Sequence, residues 1–105
     1  MAMVSALELD GQQLDVARLV EICGRYGVSE LAVFGSIARG DQRSNSDVDV
    51  LFDLAPGVRL GFGIADLQRE LELLFGRPVD LLSKDSIHRL VRDDVLREAR
   101  VLYAA

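Results

Sequence analysis

The sequence predicts an α+β fold with α/β-like layering, a small mixed sheet flanked by helices. Three observations carry this expectation. Residues 12–26 and 61–75 repeat apolar side chains at helical spacing. Residues 29–34, 46–54 and 79–82 are short runs of strand length, one of them largely alternating acidic and apolar residues. Turn residues, glycine above all, stand between the two kinds of segment.

Each element follows in order. In 12–26, Val16, Leu19, Val20 and Cys23 form the apolar stripe, and Gly24 and Gly27 flank an end that suits a helix stop. Ser29 to Phe34 holds the run Leu31-Ala32-Val33-Phe34 and reads as a buried strand. Gly35-Ser36 breaks it. Ile37 to Arg39 reads as one or two helical turns, and Gly40 to Asn45 as a polar loop. Ser46 to Leu54 is the second strand, with Asp47, Asp49, Leu51 and Asp53 on one face and Val48, Val50, Phe52 and Leu54 on the other. Ala55-Pro56-Gly57 is a turn. Gly61 to Phe75 is the second long helix, striped by Ile64, Leu67, Leu71 and Leu74, and Gly76-Arg77-Pro78 ends it. Val79 to Leu82 is a third strand and Ser83 opens a capped turn. Ile87 to Tyr103 reads as a last helix, with Ile87, Val91, Val95, Ala99 and Leu102 on its buried stripe. The predicted order is helix, strand, short helix, strand, helix, strand, helix.

The 105 residues suit one domain over 1–105, with residues 1–11 free to be flexible. Half of the residues are hydrophobic, which is enough to fold. Twelve basic and seventeen acidic residues give a net charge of −5, which argues against a domain that holds nucleic acid by neutralising phosphates. A nucleotide is not excluded, because a divalent cation reverses the local field. The single cysteine, Cys23, rules out an internal disulfide framework. The start of the chain lacks a basic region of the secretory kind, and no apolar run approaches the roughly 20 residues that span a bilayer. A cytoplasmic protein without a membrane partner is the expectation.

Chemistry concentrates in one short stretch. Gly35-Ser36, between a strand and a helical turn, can bring backbone N–H groups and a hydroxyl close to a phosphate. Asp47 and Asp49 share one face of a strand. Folding does not ask for two carboxylates side by side, and their repulsion is relieved when a cation lies between them. Paired oxygen ligands with room for water and substrate phosphates suit Mg²⁺. A solvent-facing strand can carry Asp-x-Asp for no such reason, and a Gly-Ser turn is common.

The combination is more specific. Gly35-Ser36, ten residues, Asp47-x-Asp49 resembles the signature of the DNA polymerase β-like nucleotidyltransferase superfamily. The wider text, Phe34-Gly35-Ser36-Ile37-Ala38-Arg39-Gly40 and then Ser46-Asp47-Val48-Asp49-Val50-Leu51-Phe52-Asp53, resembles its small prokaryotic members, the minimal nucleotidyltransferases, and the likeness in length and element order covers nearly the whole chain. The resemblance implies a polymerase β palm-like fold. It also implies a third carboxylate from a later strand, and Asp80 in Val79-Asp80-Leu81-Leu82 holds the corresponding place by its position in the fold pattern.

The same resemblance implies two-metal nucleotidyl transfer. Asp47 and Asp49 would hold Mg²⁺ against the triphosphate of ATP, Asp80 would join the second metal and help deprotonate the attacking hydroxyl, and Gly35 and Ser36 would grip the β- and γ-phosphates. Larger members add a second domain for base or acceptor. None reads in these residues, so the acceptor is expected on a partner. For minimal nucleotidyltransferases that partner is commonly a HEPN-domain ribonuclease toxin, and the implied reaction moves AMP from ATP to a hydroxyl, typically tyrosine, on it. A second copy of the chain is another partner left open. The rival reading is a binding antitoxin or nucleotide-binding module that acts by contact, without catalysis.

Other residues have plainer readings beside the functional ones. Arg39 is a candidate nucleotide contact, and it can equally brace the loop against Asp41 or Asp53. Ser46 suits a structural role before Asp47. Asp53 lies about 13 Å along the strand from Asp49 and reads as surface or as support for the site. Lys84, the only lysine, reads as a solvated turn more readily than as a phosphate ligand. His88, the only histidine, reads as a surface residue, and Cys23 as core.

Overall fold

Strand pairing, more than helix packing, sets the architecture of the chain. The structure is a computed structural model, and it describes residues 3–4, 8–9, 12–34, 47–87 and 89–105. In chain order the elements are β1 (Met3–Val4), β2 (Glu8–Leu9), β3 (Gln12–Gln13), α1 (Val16–Tyr26), β4 (Val28–Phe34), β5 (Val48–Leu54), α2 (Gly63–Phe75), β6 (Val79–Ser83), a 3₁₀ turn (Lys84–Ser86), α3 (Arg89–Glu98) and β7 (Arg100–Ala104). Five strands form one mixed sheet in the order β1-β7-β4-β5-β6, and β2 pairs with β3 separately. Within the five-stranded sheet β5 and β6 run parallel, whereas β1–β7, β7–β4 and β4–β5 are antiparallel.

The first helix is shorter than its hydrophobic period suggests. Asp15 caps it, its side chain accepting from the Arg18 N–H at 3.1 Å, so the helix begins at Val16 and Gln12–Gln13 are left to pair with Glu8–Leu9. Gly27 stops it in the left-handed conformation, φ 68°, with its N–H directed at the Cys23 and Gly24 carbonyls. The stripe is also rotated from expectation. Leu19, Ile22 and Cys23 are fully buried, whereas Val20 is among the exposed apolar residues. In α2, Leu67, Leu71 and Phe75 face inward and Ile64 does not.

The last predicted helix is corrected by the structure. It stops at Glu98, and Arg100–Ala104 forms β7, which lies between β1 and β4 inside the sheet. Helical spacing through Ala99 and Leu102 was a real local signal. It lost to the unpaired edge of β4, whose N–H and C=O groups need partners, and to the strand-favouring run Val101-Leu102-Tyr103. Leu102 is fully buried there.

The sheet has two unlike faces. On one, α1 and α2 pack Leu19, Ile22, Cys23, Leu67 and Leu71 against residues that include Leu31, Val33, Val48 and Val50 of β4 and β5. Each such fully buried aliphatic side chain contributes roughly 1.5–3 kcal/mol. Arg18 and Arg25 of α1 tie the two helices together by donating to opposite oxygens of Glu70 on α2, at 3.1 and 2.7 Å. On the other face, Ala32, Leu51 and Ile87 form a smaller cluster with Phe34, Leu82, Val95, Leu96 and Ala99. Leu51 is therefore core, although it shares its face with the acids. No described helix is long and apolar enough to cross a membrane.

Candidate active site on the acidic sheet face

The acids gather where the parallel pair begins. Asp47 is exposed immediately ahead of β5, Asp49 is half-buried within it, and Asp80 is exposed on β6. The register pairs Val48 with Val79, Asp49 with Asp80 and Val50 with Leu81. Alternation then sets the faces: the valines go to the helix-covered core, and Asp49 and Asp80 go to the opposite face. The Val48 N–H donates to the Pro78 carbonyl at 2.8 Å, which fixes the register at this end. On the other side of Asp49, its partner in β4 is Phe34, the last residue of that strand.

This neighbourhood disfavours a lone negative charge. Burial pushes the Asp49 carboxyl above its ordinary value, and the charges of Asp80 and then Asp47 add to the effect. A cation among the three carboxylates would reverse that penalty. Among the described residues, no three or more acidic, histidine or cysteine side chains form a ready-made metal cage. Mg²⁺ takes one or two carboxylates and completes its shell with water and substrate phosphates, so the oxygen donors of Asp47, Asp49 and Asp80 are of the kind it accepts. Hard oxygen donors, register pairing and mutual repulsion together make a donor set that fits such an ion.

Gly35, Ser36 and Arg39, the candidate nucleotide-binding residues, lie outside the described residues, as do Ser46 and His88. Their link to the acids is by sequence, Gly35 following the Phe34 that pairs with Asp49. Asp53 is at the far end of β5, opposite Glu30, and its own Oδ1 accepts from the Leu54 N–H. Lys84 donates to Glu30 at 2.8 Å, so it is an ion-pairing residue of that far end and not part of the acid cluster. Cys23 is fully buried, and burial pushes its thiol up to about 12, which leaves it unreactive.

Sequence reading overlooked Gln68 and Glu72. Gln68 Nε2 donates to the Val79 carbonyl and the Val79 N–H donates to Glu72 Oε2, both at 3.0 Å, one residue ahead of Asp80. The only signal was a polar pair at i, i+4 on α2, and nothing local says what such a pair would touch.

Residues 16–102 match the nucleotidyltransferase domain family. The chain is 38% identical over 98 residues to protein adenylyltransferase MntA of Thermococcus cleftensis, covering 93% of this chain and 96% of that protein. It is 38% identical over 82 residues to a candidate protein adenylyltransferase of Methanocaldococcus jannaschii, covering 78% and 87%. Among solved structures, a candidate minimal nucleotidyltransferase superposes with a TM-score of 0.68 at 38% identity, covering 81% of this chain and 86% of that one. A chain of a toxin-antitoxin crystal structure with AMP-PNP also reaches 0.68, at 20% identity and with 88% and 75% covered, which is a likeness of fold. Asp47 just ahead of β5 and Asp49 within it, beside an acid on β6, a mixed sheet backed by helices and a family match over most of the chain agree: the chain belongs to the nucleotidyltransferase domain family, among its minimal members.

Proposed function

We propose that this chain transfers AMP from ATP to a hydroxyl of a partner protein, as a cytoplasmic antitoxin that modifies and neutralises a HEPN-domain ribonuclease toxin. The observation that carries the reading is the register pairing of Asp49 with Asp80, with Asp47 near enough for its charge to act on Asp49. The relatives named protein adenylyltransferase support the donor and the class of acceptor. Fold neighbours crystallised as toxin-antitoxin complexes support a toxin as the partner.

Asp47, Asp49 and Asp80 would hold Mg²⁺, in a two-metal arrangement with the triphosphate. Bound there, Mg²⁺ supplies charge neutralisation on the phosphates and eases deprotonation of the attacking hydroxyl. The residues of the chain do the rest. Gly35 and Ser36, with Arg39, are assigned to gripping the triphosphate so that the α-phosphorus faces the acceptor. The acceptor oxygen forms a bond to the α-phosphorus, the bond from that phosphorus to the pyrophosphate oxygen breaks, and pyrophosphate leaves. Asp80 stands to receive the hydroxyl proton. Positioning and charge compensation supply most of the acceleration in such transfers.

The test is transfer of label from α-labelled ATP to the partner in Mg²⁺, with the wild-type chain and with Asp47→Asn and Asp49→Asn. Labelled partner with the wild type and a loss of roughly 10²–10³-fold in either variant is expected, the scale of removing one charge-stabilising group. A wild-type chain that silences the partner without labelling it would overturn the enzymatic reading in favour of neutralisation by contact.

A further inference from the structure

We propose that Gln68 and Glu72 are positioning residues for Asp80: they bracket both main-chain polar groups of Val79 and so fix where Asp80 stands relative to Asp47 and Asp49. This rests on the reading of Asp80 as part of the metal-nucleotide site.

Among the described residues β6 is an edge strand, bonded to β5 on one side only. In a parallel ladder, alternate residues direct their N–H and C=O to alternate sides. Pro78 gives its carbonyl to the Val48 N–H of β5, so Val79 directs its own two groups outward. An exposed edge residue would leave them to water. Here helix α2 replaces the missing strand. Gln68 supplies the donor and Glu72 the acceptor, each at 3.0 Å, from positions one helical turn apart. Val79 is 4% exposed and both bonds are part-buried, so water competes for them less than at an open edge. A carboxylate accepting from a backbone N–H there is among the stronger hydrogen bonds a protein makes.

The clamp is specific to the site end of the strand. Val79 is the partner of Val48, the residue between Asp47 and Asp49, and the next pair along is Asp49 with Asp80. A slide or lift of β6 at Val79 therefore moves Asp80 against the other two acids, while the sheet centre at Val33 and Val50 keeps its own packing. Groups that orient metal ligands typically change metal affinity or activity by about 10–100-fold when removed.

The experiment compares the full chain with Gln68→Leu, Glu72→Leu and Glu72→Gln, and with Arg18→Ala as a variant that weakens the α1–α2 contact elsewhere. Mn²⁺ is titrated in the presence of a non-hydrolysable ATP analogue, and amide hydrogen exchange and thermal unfolding are followed on the same samples. Expected are a Mn²⁺ affinity weakened by about tenfold in Gln68→Leu and Glu72→Leu, recovery to within about twofold in Glu72→Gln, and no change in Arg18→Ala. Exchange at Val79 and Asp80 should rise about tenfold or more in the two leucine variants, with Leu31 and Val33 unaffected. Lower melting temperatures with unchanged Mn²⁺ affinity and unchanged exchange at Asp80 would overturn the proposal and leave the pair a purely structural contact. Asp80→Asn separates the two readings. If it leaves Mn²⁺ binding intact, Asp80 is no ligand and the clamp falls with that reading. If it weakens binding while the leucine variants do not, the clamp alone is wrong.

Discussion

Asp49 and Asp80 are register partners across the parallel β5–β6 pairing, which sets two carboxylates side by side on the sheet face turned away from α1 and α2. Adjacent strands lie about 4.8 Å apart, so their charges act on each other directly. The arrangement costs stability while the carboxylates are charged, and that has a measurable signature.

Without divalent cations, Asp49→Asn should melt above the wild type at neutral pH. The Asp49 carboxyl binds its proton more tightly folded than unfolded. Its proton-linked stability is therefore fully present below the unfolded value, near ~3.9, and is lost as pH rises through the raised folded value. The gap between variant and wild type should thus be small in acid, widen as the pH rises and then level off. Thermal melts from pH 3 to 8 in a chelator check this. A gap that shrinks with rising pH would contradict it.

Adding Mg²⁺ with ATP should invert that order. The wild type gains stability from a ligand that binds only the folded state, about 2.7 kcal/mol at a hundredfold excess over Kd. Asp49→Asn should gain little. Chelation should return the wild type to its original melting temperature, followed by the same melts.

Gly27→Ala should cost about 1–3 kcal/mol. Gly27 holds φ 68°, and a Cβ there would lie 2.8 Å from Val58 Cγ1. Gly57 has φ 83°, and a Cβ there would meet nothing within 4 Å, so Gly57→Ala carries the conformational cost alone and should be the milder change. Urea unfolding of the two variants gives the comparison.

Glu70→Gln should cost about 1–2 kcal/mol, because it weakens two charge-assisted bonds that join α1 to α2. Its side chain is 17% exposed, against 40% and 49% for Arg18 and Arg25, so added salt should reduce the loss only partly. Denaturant melts at low and high salt measure both effects.

Leu102→Ala should cost about 2–5 kcal/mol, and Leu73→Ala within about 0.5 kcal/mol. Leu102 is fully buried in β7, whereas Leu73 on α2 is 72% exposed. Equal effects would contradict the placement of β7 within the sheet.

The sequence by itself determined what depends on near neighbours. The stripe of Leu67 and Leu71 made α2 legible, and the alternation from Asp47 to Leu54 separated the acids from Val48 and Val50 before any pairing was known. The motif spacing was enough to indicate the family to which the chain belongs. Tertiary structure decided what depends on distant partners. Arg100–Ala104 follows a helical period and becomes a strand because β4 offers it a free edge; Leu51 lies on the acidic face and is core because Ala32 and Ile87 cover it. Asp80 meets Asp49, and Gln68 and Glu72 meet Val79, only through the register of β6 and the docking of α2. Periodicity reports which way a side chain points along its own element. What it points at is fixed by pairings between segments far apart in the chain, where burial and backbone hydrogen bonding outweigh local preference.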